Sequence, residues 1–212
     1  MWQRHFCSCI KTKRWEFFNH LITMDECWVY HCDPETKEMS KQWKHAVSPP
    51  PKKAISQLSS GKVMLSVFWD QRSVVMTNYT QQGDTITDEY YWNLLRKLWE
   101  EIKKKLCRML GKGVRLLQDN TLAHAAHATT TLAASLGYEI LPLPPDLAVS
   151  DFLFPWLKKL LHGKRFQDDD VISAVEDFLN SQNETSYDQG IQQLMHRWGK
   201  CVALQGAYVE KG

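Results

Sequence analysis

Apolar and polar positions along this chain follow two rhythms, a short alternation near period two and longer stretches near period 3.6. Residues 26–33, ECWVYHCD, mix aromatic and branched side chains and predict a short strand. The run KVMLSVFWD, 62–70, is the clearest strand. SVVMTNY, 73–79, follows after Gln71 and Arg72, so the two runs predict a hairpin. From Thr87 to Leu110 the apolar residues Tyr91, Leu94, Leu95, Leu98, Ile102 and Leu106 recur at helical spacing. Thr87 or Asp88 can cap that helix, and Gly111 and Gly113 lie where it should end. VRLLQ, 114–118, predicts another strand, and the Ala-rich segment 122–136 a helix stopped by Gly137. YEIL, 138–141, is a further short strand before Pro142, Pro144 and Pro145 break the chain. Helices are expected over 153–160, over 169–181 with Asp168 or Asp169 as cap, and over 187–198.

The predicted order is strand, hairpin, helix, strand, helix, strand, helices. That order belongs to the α/β class, with a mixed sheet flanked by helices. Residues 34–60 are polar and basic, with SPPPKK at 48–53, and read as a long connection. Long structureless connections are uncommon in compact domains and often carry function.

Composition narrows the classes. The 212 residues, 43% hydrophobic, suffice for one sizeable core. A formal charge of +2 neither demands nor excludes nucleic acid. Nine Trp and eight Phe place the chain with compact domains rather than disordered ones. No apolar run reaches membrane-spanning length, and the N-terminus lacks the apolar core of a secretory signal, so no membrane association is expected. The six Cys are scattered, which fits a reducing compartment better than a disulfide framework. Cys7 and Cys9 have no second pair to complete a zinc site, and His31 and Cys32 would point to opposite faces of a strand. No GxGxxG, Walker A, HExxH or GxSxG motif is present.

Three carboxylates could carry chemistry. Asp25 is expected at the start of the first strand and Asp119 at the C-terminal end of a later one, where open α/β sheets form ligand crevices. Asp151 lies between Val149 and the apolar Phe152, Leu153 and Phe154. Carboxylates from separate elements can share divalent cations, and two such ions can clamp the oxygens of a phosphodiester. The residues alone leave other readings open: Asp25 as a strand flank, Asp119–Asn120 as a turn, Asp151 as a helix cap.

The motifs around these residues resemble the catalytic domain of Tc1/mariner-type transposases. LITMDECWVYH, 21–31, is similar to the family's segment around its first catalytic Asp. LLQDNTLAH, 116–124, resembles the segment around the second, and LPLPPDLAVSDFLFPWLKK, 141–159, that around the third. GKVMLSVFWD, GKRF at 163–166 and the segment 190–211 add to the match, which runs from about residue 10 to the end. The resemblance implies an RNase H-like fold and an Asp25, Asp119, Asp151 triad that holds two Mg²⁺ or Mn²⁺ ions for DNA strand cleavage and transfer. It implies DNA as partner, with Lys158, Lys159, Lys164 and Arg165 as candidate phosphate contacts, a homodimer, and a nuclear location. The connection 34–60 matches the family's clamp loop, with Trp43 as a candidate anchor. Trp198, in the motif with Arg197 and Lys200, is expected to pack the last helix on the core.

The chain also departs from the family pattern. Residues 1–20 form a short remnant before the 21–212 domain, too short for the family's paired helix-turn-helix modules, so specific end recognition is expected to be absent. The family's approach to the third Asp is contracted to Leu143–Asp146, leaving 31 residues between Asp119 and Asp151, fewer than usual. Met24 replaces a Gly, Thr121 and Leu122 replace Ala and Pro, Leu116 stands near the family's His-Gln-Asp-Asn run, and Leu143 replaces a His. The leading expectation is a degenerate transposase-derived protein with residual non-specific DNA binding and impaired cleavage. The alternatives are a metal-dependent endonuclease or strand transferase using the three Asp, and a non-enzymatic interaction domain.

Overall fold

The structure, a computed structural model, describes residues 17–203 except 33–60, 82, 85–86, 112, 120 and 142–151. Side chains at 168, 169, 195 and 198–203 are also outside the description, so the expectations for Trp43 and Trp198 fall outside the described residues. Five strands form one sheet in the order β3-β2-β1-β4-β5. They are β1 Leu21–Tyr30, β2 Lys62–Trp69, β3 Val74–Gln81, β4 Val114–Leu117 and β5 Tyr138–Leu141. β1, β2 and β3 run antiparallel, while β1, β4 and β5 run parallel. This is the mixed, RNase H-like sheet that the motifs imply.

The helices are α1 Asp88–Lys105, α2 Cys107–Leu110, α3 Leu122–Ala125, α4 His127–Ser135, α5 Phe154–Leu161, α6 Asp168–Ser181 and α7 Glu184–Ala203. No helix among the described residues is long and apolar enough to cross a membrane. The strand alternation sorts side chains into two cores, one on each face. Leu21, Val29, Leu65, Val67, Trp69 and Leu117 meet residues of α5, α6 and α7, including Leu157, Val175 and Ile191. Ile22, Met24, Phe68 and Leu116 meet Tyr91, Leu94, Leu95, Leu98 and Ile102 of α1 on the other face. The apolar stripe read from the sequence is therefore the buried face of α1. Thr87 caps this helix, its hydroxyl accepting the Tyr90 amide.

Several boundaries differ from the sequence expectation. β1 begins at Leu21 rather than Glu26, because Leu21–Thr23 pair with Arg115–Leu117 of β4. Asp25 is thus in mid-strand, not at its start. The helix expected to run to Leu110 breaks at Leu106, which leaves helical geometry and is buried with Met109 in the α1 core. The Ala-rich helix breaks at Ala126. There Thr129 donates to the Ala123 carbonyl at 2.8 Å, an acceptor that a continuous helix would give to the His127 amide. Gly137, at φ 89°, does end α4 as expected. Gln167, not Asp168 or Asp169, is the N-cap of α6, and the last helix is longer at both ends than 187–198. The hairpin is as expected, its turn closed by Asp70, which accepts from the Arg72 and Ser73 amides.

Candidate metal centre

β1 has neighbours on both sides only as far as Thr23. Beyond it β4 ends, while β2 continues to pair with β1 up to Tyr30. The second half of β1 therefore borders a crevice at the point where the parallel and antiparallel halves of the sheet part. Asp25 lies there, two residues past Thr23. Asp119 lies two residues past Leu117, the partner of Thr23. The parallel register thus sets Asp25, in mid-β1, level with Asp119, just past the end of β4, on strands that run about 4.8 Å apart.

Strand alternation gives Asp25 and Glu26 opposite directions. Asp25 shares its face with Leu21 and Val29, the side covered by α5, α6 and α7. Glu26 shares the other with Ile22 and Met24. Oδ1 of Asp25 accepts the Glu26 amide at 2.8 Å.

Asp119 is held by the residues of the next turn and of α3. Its Oδ1 accepts the Thr121 amide at 3.3 Å, the Asx turn that Asp-Asn pairs favour, and meets Nδ1 of His124 at 2.6 Å. Both readings of this Asp, turn residue and ligand candidate, are therefore compatible. His124 is 1% exposed and stacks on Tyr91, with ring centroids 4.0 Å apart. The Tyr91 hydroxyl donates to Oε1 of Gln118, and Nε2 of Gln118 donates to the His124 carbonyl at 3.3 Å. The break at Ala126 confines His124 to the four-residue α3, pinned from below by this network. On its far side, Nε2 of His124 lies 3.4 Å from Oε1 of Glu26.

Glu26, Asp119 and His124 thus form one cluster, with ligand-type atoms all within 4.8 Å of one another. Burial favours the neutral form of His124, but the hydrogen bond to Asp119 and the nearby carboxylates of Glu26 and Asp119 outweigh it, raising the imidazole to about 9. Burial likewise opposes ionisation of Asp119. The His124 contacts and the Thr121 amide win, holding the carboxyl below its ordinary value. Burial, then the charges of Glu26 and Asp119, push the Tyr91 phenol well up, so it stays a neutral donor.

The carboxylates of this cluster fit a cation. Among the described residues, buried Oε1 of Glu26 and Nε2 of His124 have no hydrogen-bond partner. With Nδ1–H given to Asp119, a bare Nε2 would present its lone pair to a carboxylate, so a proton or a cation belongs between them. Carboxylate oxygens are the donors that Mg²⁺ and Mn²⁺ take. A cleft of about 400 Å³ opens beside the cluster, lined in part by Glu26, Trp28, Met64, Leu122 and His124.

Of the sequence-predicted triad, Asp25 and Asp119 each lie two residues past the paired Thr23 and Leu117, the cluster of ligand-type atoms includes Asp119 but not Asp25, and Asp151 lies outside the described residues. Its neighbour Phe152 is placed against Trp69 and Gly190, where an added Cβ on Gly190 would meet Phe152 at 2.8 Å and Trp69 at 2.9 Å. Leu153 is buried, so the start of α5 is docked. The charge of Lys158, on α5, acts on the Cys27 thiol, one alternation from Asp25. Burial pushes that thiol up, the Lys158 charge opposes this, and the Asp25 charge adds to it. Lys159 lies 5.4 Å over the ring of exposed Trp156. Arg165 pairs its backbone with Cys32 just past β1, and Lys164 precedes it; both are exposed.

Met24 and Leu116 disturb none of this. Both are buried in the α1 core, and Met24 pairs regularly with Phe68 on the face away from Asp25. A strand position in regular pairing needs no glycine. Glu26 and His124 were the residues that sequence reasoning passed over, although both stand inside motifs quoted for their aspartates.

Comparison with known proteins bears on the fold that carries this crevice. The family described as "Transposase (partial DDE domain)" matches residues 33–111, a span containing none of the three aspartates. The Mariner Mos1 transposase of Drosophila mauritiana is 30% identical over 205 residues, 93% of this chain and 59% of that protein. The crystal structure of the Mos1 catalytic domain superposes with a TM-score of 0.75 at 27% identity, covering 98% of this chain and 94% of that one. Across nearly its whole length the chain is similar to a mariner transposase catalytic domain. The chain is also similar to human histone-lysine N-methyltransferase SETMAR, 32% identical over 200 residues, 92% of this chain but 29% of that protein. The chain therefore spans under two thirds of either curated relative. Mos1 paired end complexes have been solved with Mn and with Mg, and they share this fold.

Proposed function

We propose that this domain cuts and joins DNA strands using two divalent cations, Mg²⁺ or Mn²⁺, held by Asp25, Asp119 and Asp151. The observation that carries the reading is the parallel register of β1 and β4. It sets Asp25 level with an ionised, hydrogen-bonded Asp119 where β4 ends beside β1. The bound cations would supply water or 3′-hydroxyl activation and charge stabilisation at the phosphodiester.

The chain's own residues do the rest. Asp25 presents its oxygens from mid-β1, and Asp119 from the turn just past β4. Asp151 is the third ligand by motif, and its flank is anchored by Phe152 against Trp69 and Gly190. Lys158, Lys159, Lys164 and Arg165 lie on α5 and just past β1, where they can take backbone phosphates without reading sequence. The Mos1 relatives include a transpososome and paired end complexes, which supports DNA as partner and a second copy of the chain as the other. A DNA substrate also favours a nuclear site of action.

A second reading keeps fold and DNA binding but loses cleavage. The contraction at Leu143–Asp146 favours it, since magnesium tolerates little displacement of a ligand. One assay separates the two. The protein and Asp119→Ala are incubated with labelled single- and double-stranded DNA in Mg²⁺ or Mn²⁺. Metal-dependent cleavage that falls at least about a hundredfold in the variant supports the first reading. DNA binding without cleavage at any metal concentration overturns it in favour of the second.

A further inference from the structure

Asp25 reaches the crevice from one face of β1, and its neighbour Glu26 leaves by the other. Glu26 nevertheless acts on the same site, because His124 connects it to Asp119. Oδ1 of Asp119 is fully engaged, by the Thr121 amide at 3.3 Å and by Nδ1 of His124 at 2.6 Å. Nε2 of His124, buried and without a hydrogen-bond partner among the described residues, is aimed at Oε1 of Glu26 across 3.4 Å. The imidazole cannot rotate away, since it stacks on Tyr91, and its backbone carbonyl is tied to Gln118.

We propose that His124 and Glu26 form a positioning pair for Asp119. They lock its rotamer through Oδ1 and leave Oδ2 to the metal. The proposal rests on the reading of Asp119 as a metal ligand. Neither residue touches the reacting atoms. A ligand carboxylate just past the end of a strand has two free torsions, and fixing them before the cation arrives removes an ordering cost from binding. His124 also separates two carboxylates. Without it Glu26 and Asp119 would face each other inside a cluster only 4.8 Å across, and repulsion would swing Asp119 off its position. Strand β1 thereby grips the site from both faces, through Asp25 as ligand and through Glu26 as buttress.

The test is Mn²⁺ affinity of the full chain, read from the EPR signal of free Mn²⁺, with folding followed by circular dichroism. Asp119→Ala should lose the site. His124→Ala should weaken Mn²⁺ binding roughly tenfold to a hundredfold, the usual cost of losing a partner behind a ligand. His124→Asn, whose amide can still donate to Oδ1, should recover affinity to within roughly threefold of the parent. An Ala variant that binds Mn²⁺ like the parent, beside an Asp119→Ala that does not, overturns the positioning role and leaves the metal reading standing. An Asn variant as weak as Ala overturns it too, by assigning the loss to packing. Unchanged binding in Asp119→Ala overturns both readings. If His124→Ala does not fold, Glu26→Gln carries the test: a loss of roughly tenfold is expected, and parental affinity contradicts the pair.

Discussion

At the scale of single residues, the site is organised by a cationic imidazole between two carboxylates. His124 has a folded-state value near 9 against an ordinary 6.5. A raised value means its stabilisation is full below pH 6.5 and fades as pH rises through about 9. Urea unfolding of the metal-free protein should therefore show stability falling across that window, and His124→Asn should abolish the slope there. NMR titration of the His124 ring should give a midpoint near 9. Asp119 contributes the same interaction from the acid side, lost as pH falls through its depressed value. Asp119 was legible in the sequence because a strand leading into Asp-Asn is a local pattern. Glu26 and His124 were not, because their roles depend on which face of β1 each residue takes and on a helix break at Ala126 fixed by Thr129.

At the scale of elements, the alternation along 62–70 and 73–79 and the stripe from Tyr91 to Ile102 predicted the hairpin and α1, because each buries one face against a core. The start of β1 and the end of α1 depend on partners distant in sequence. β1 starts at Leu21 only because β4 pairs with it, and α1 breaks where Leu106 turns inward. Two variants test such long-range contacts. Gly→Ala inside a helix ordinarily stabilises by about 1 kcal/mol. At Gly190 the sign should reverse, with a loss of about 1–3 kcal/mol in urea unfolding, because the new methyl meets Phe152 and Trp69 at under 3 Å. The displaced Phe152 should also disturb Asp151 and lower metal-dependent cleavage. Asp70 is wholly buried, and its Oδ2 is paired with Arg108 at 2.7 Å. Arg108→Met should cost about 2–3 kcal/mol by leaving that charge with only its backbone donors.

At the scale of the molecule, an anchored acidic crevice lies beside a basic strip, an arrangement that fits a polyanion held for cutting. Binding to arbitrary duplex DNA should weaken steeply with salt. Replacing Lys158, Lys159 and Lys164 by Glu should lower affinity for all sequences alike, and each lost phosphate contact should reduce the log–log salt slope by about 1. Fluorescence anisotropy across a salt series reads both. That Asp25 and Asp119 hold metal while His124 positions Asp119 can be checked directly by diffraction from crystals grown with Mn²⁺, using anomalous scattering to locate the ion. The expected result is density bound by Asp25 and by Oδ2 of Asp119, with Nδ1 of His124 still on Oδ1. An ion bound instead by Nε2 of His124 and by Glu26, with Asp25 unengaged, would contradict both roles.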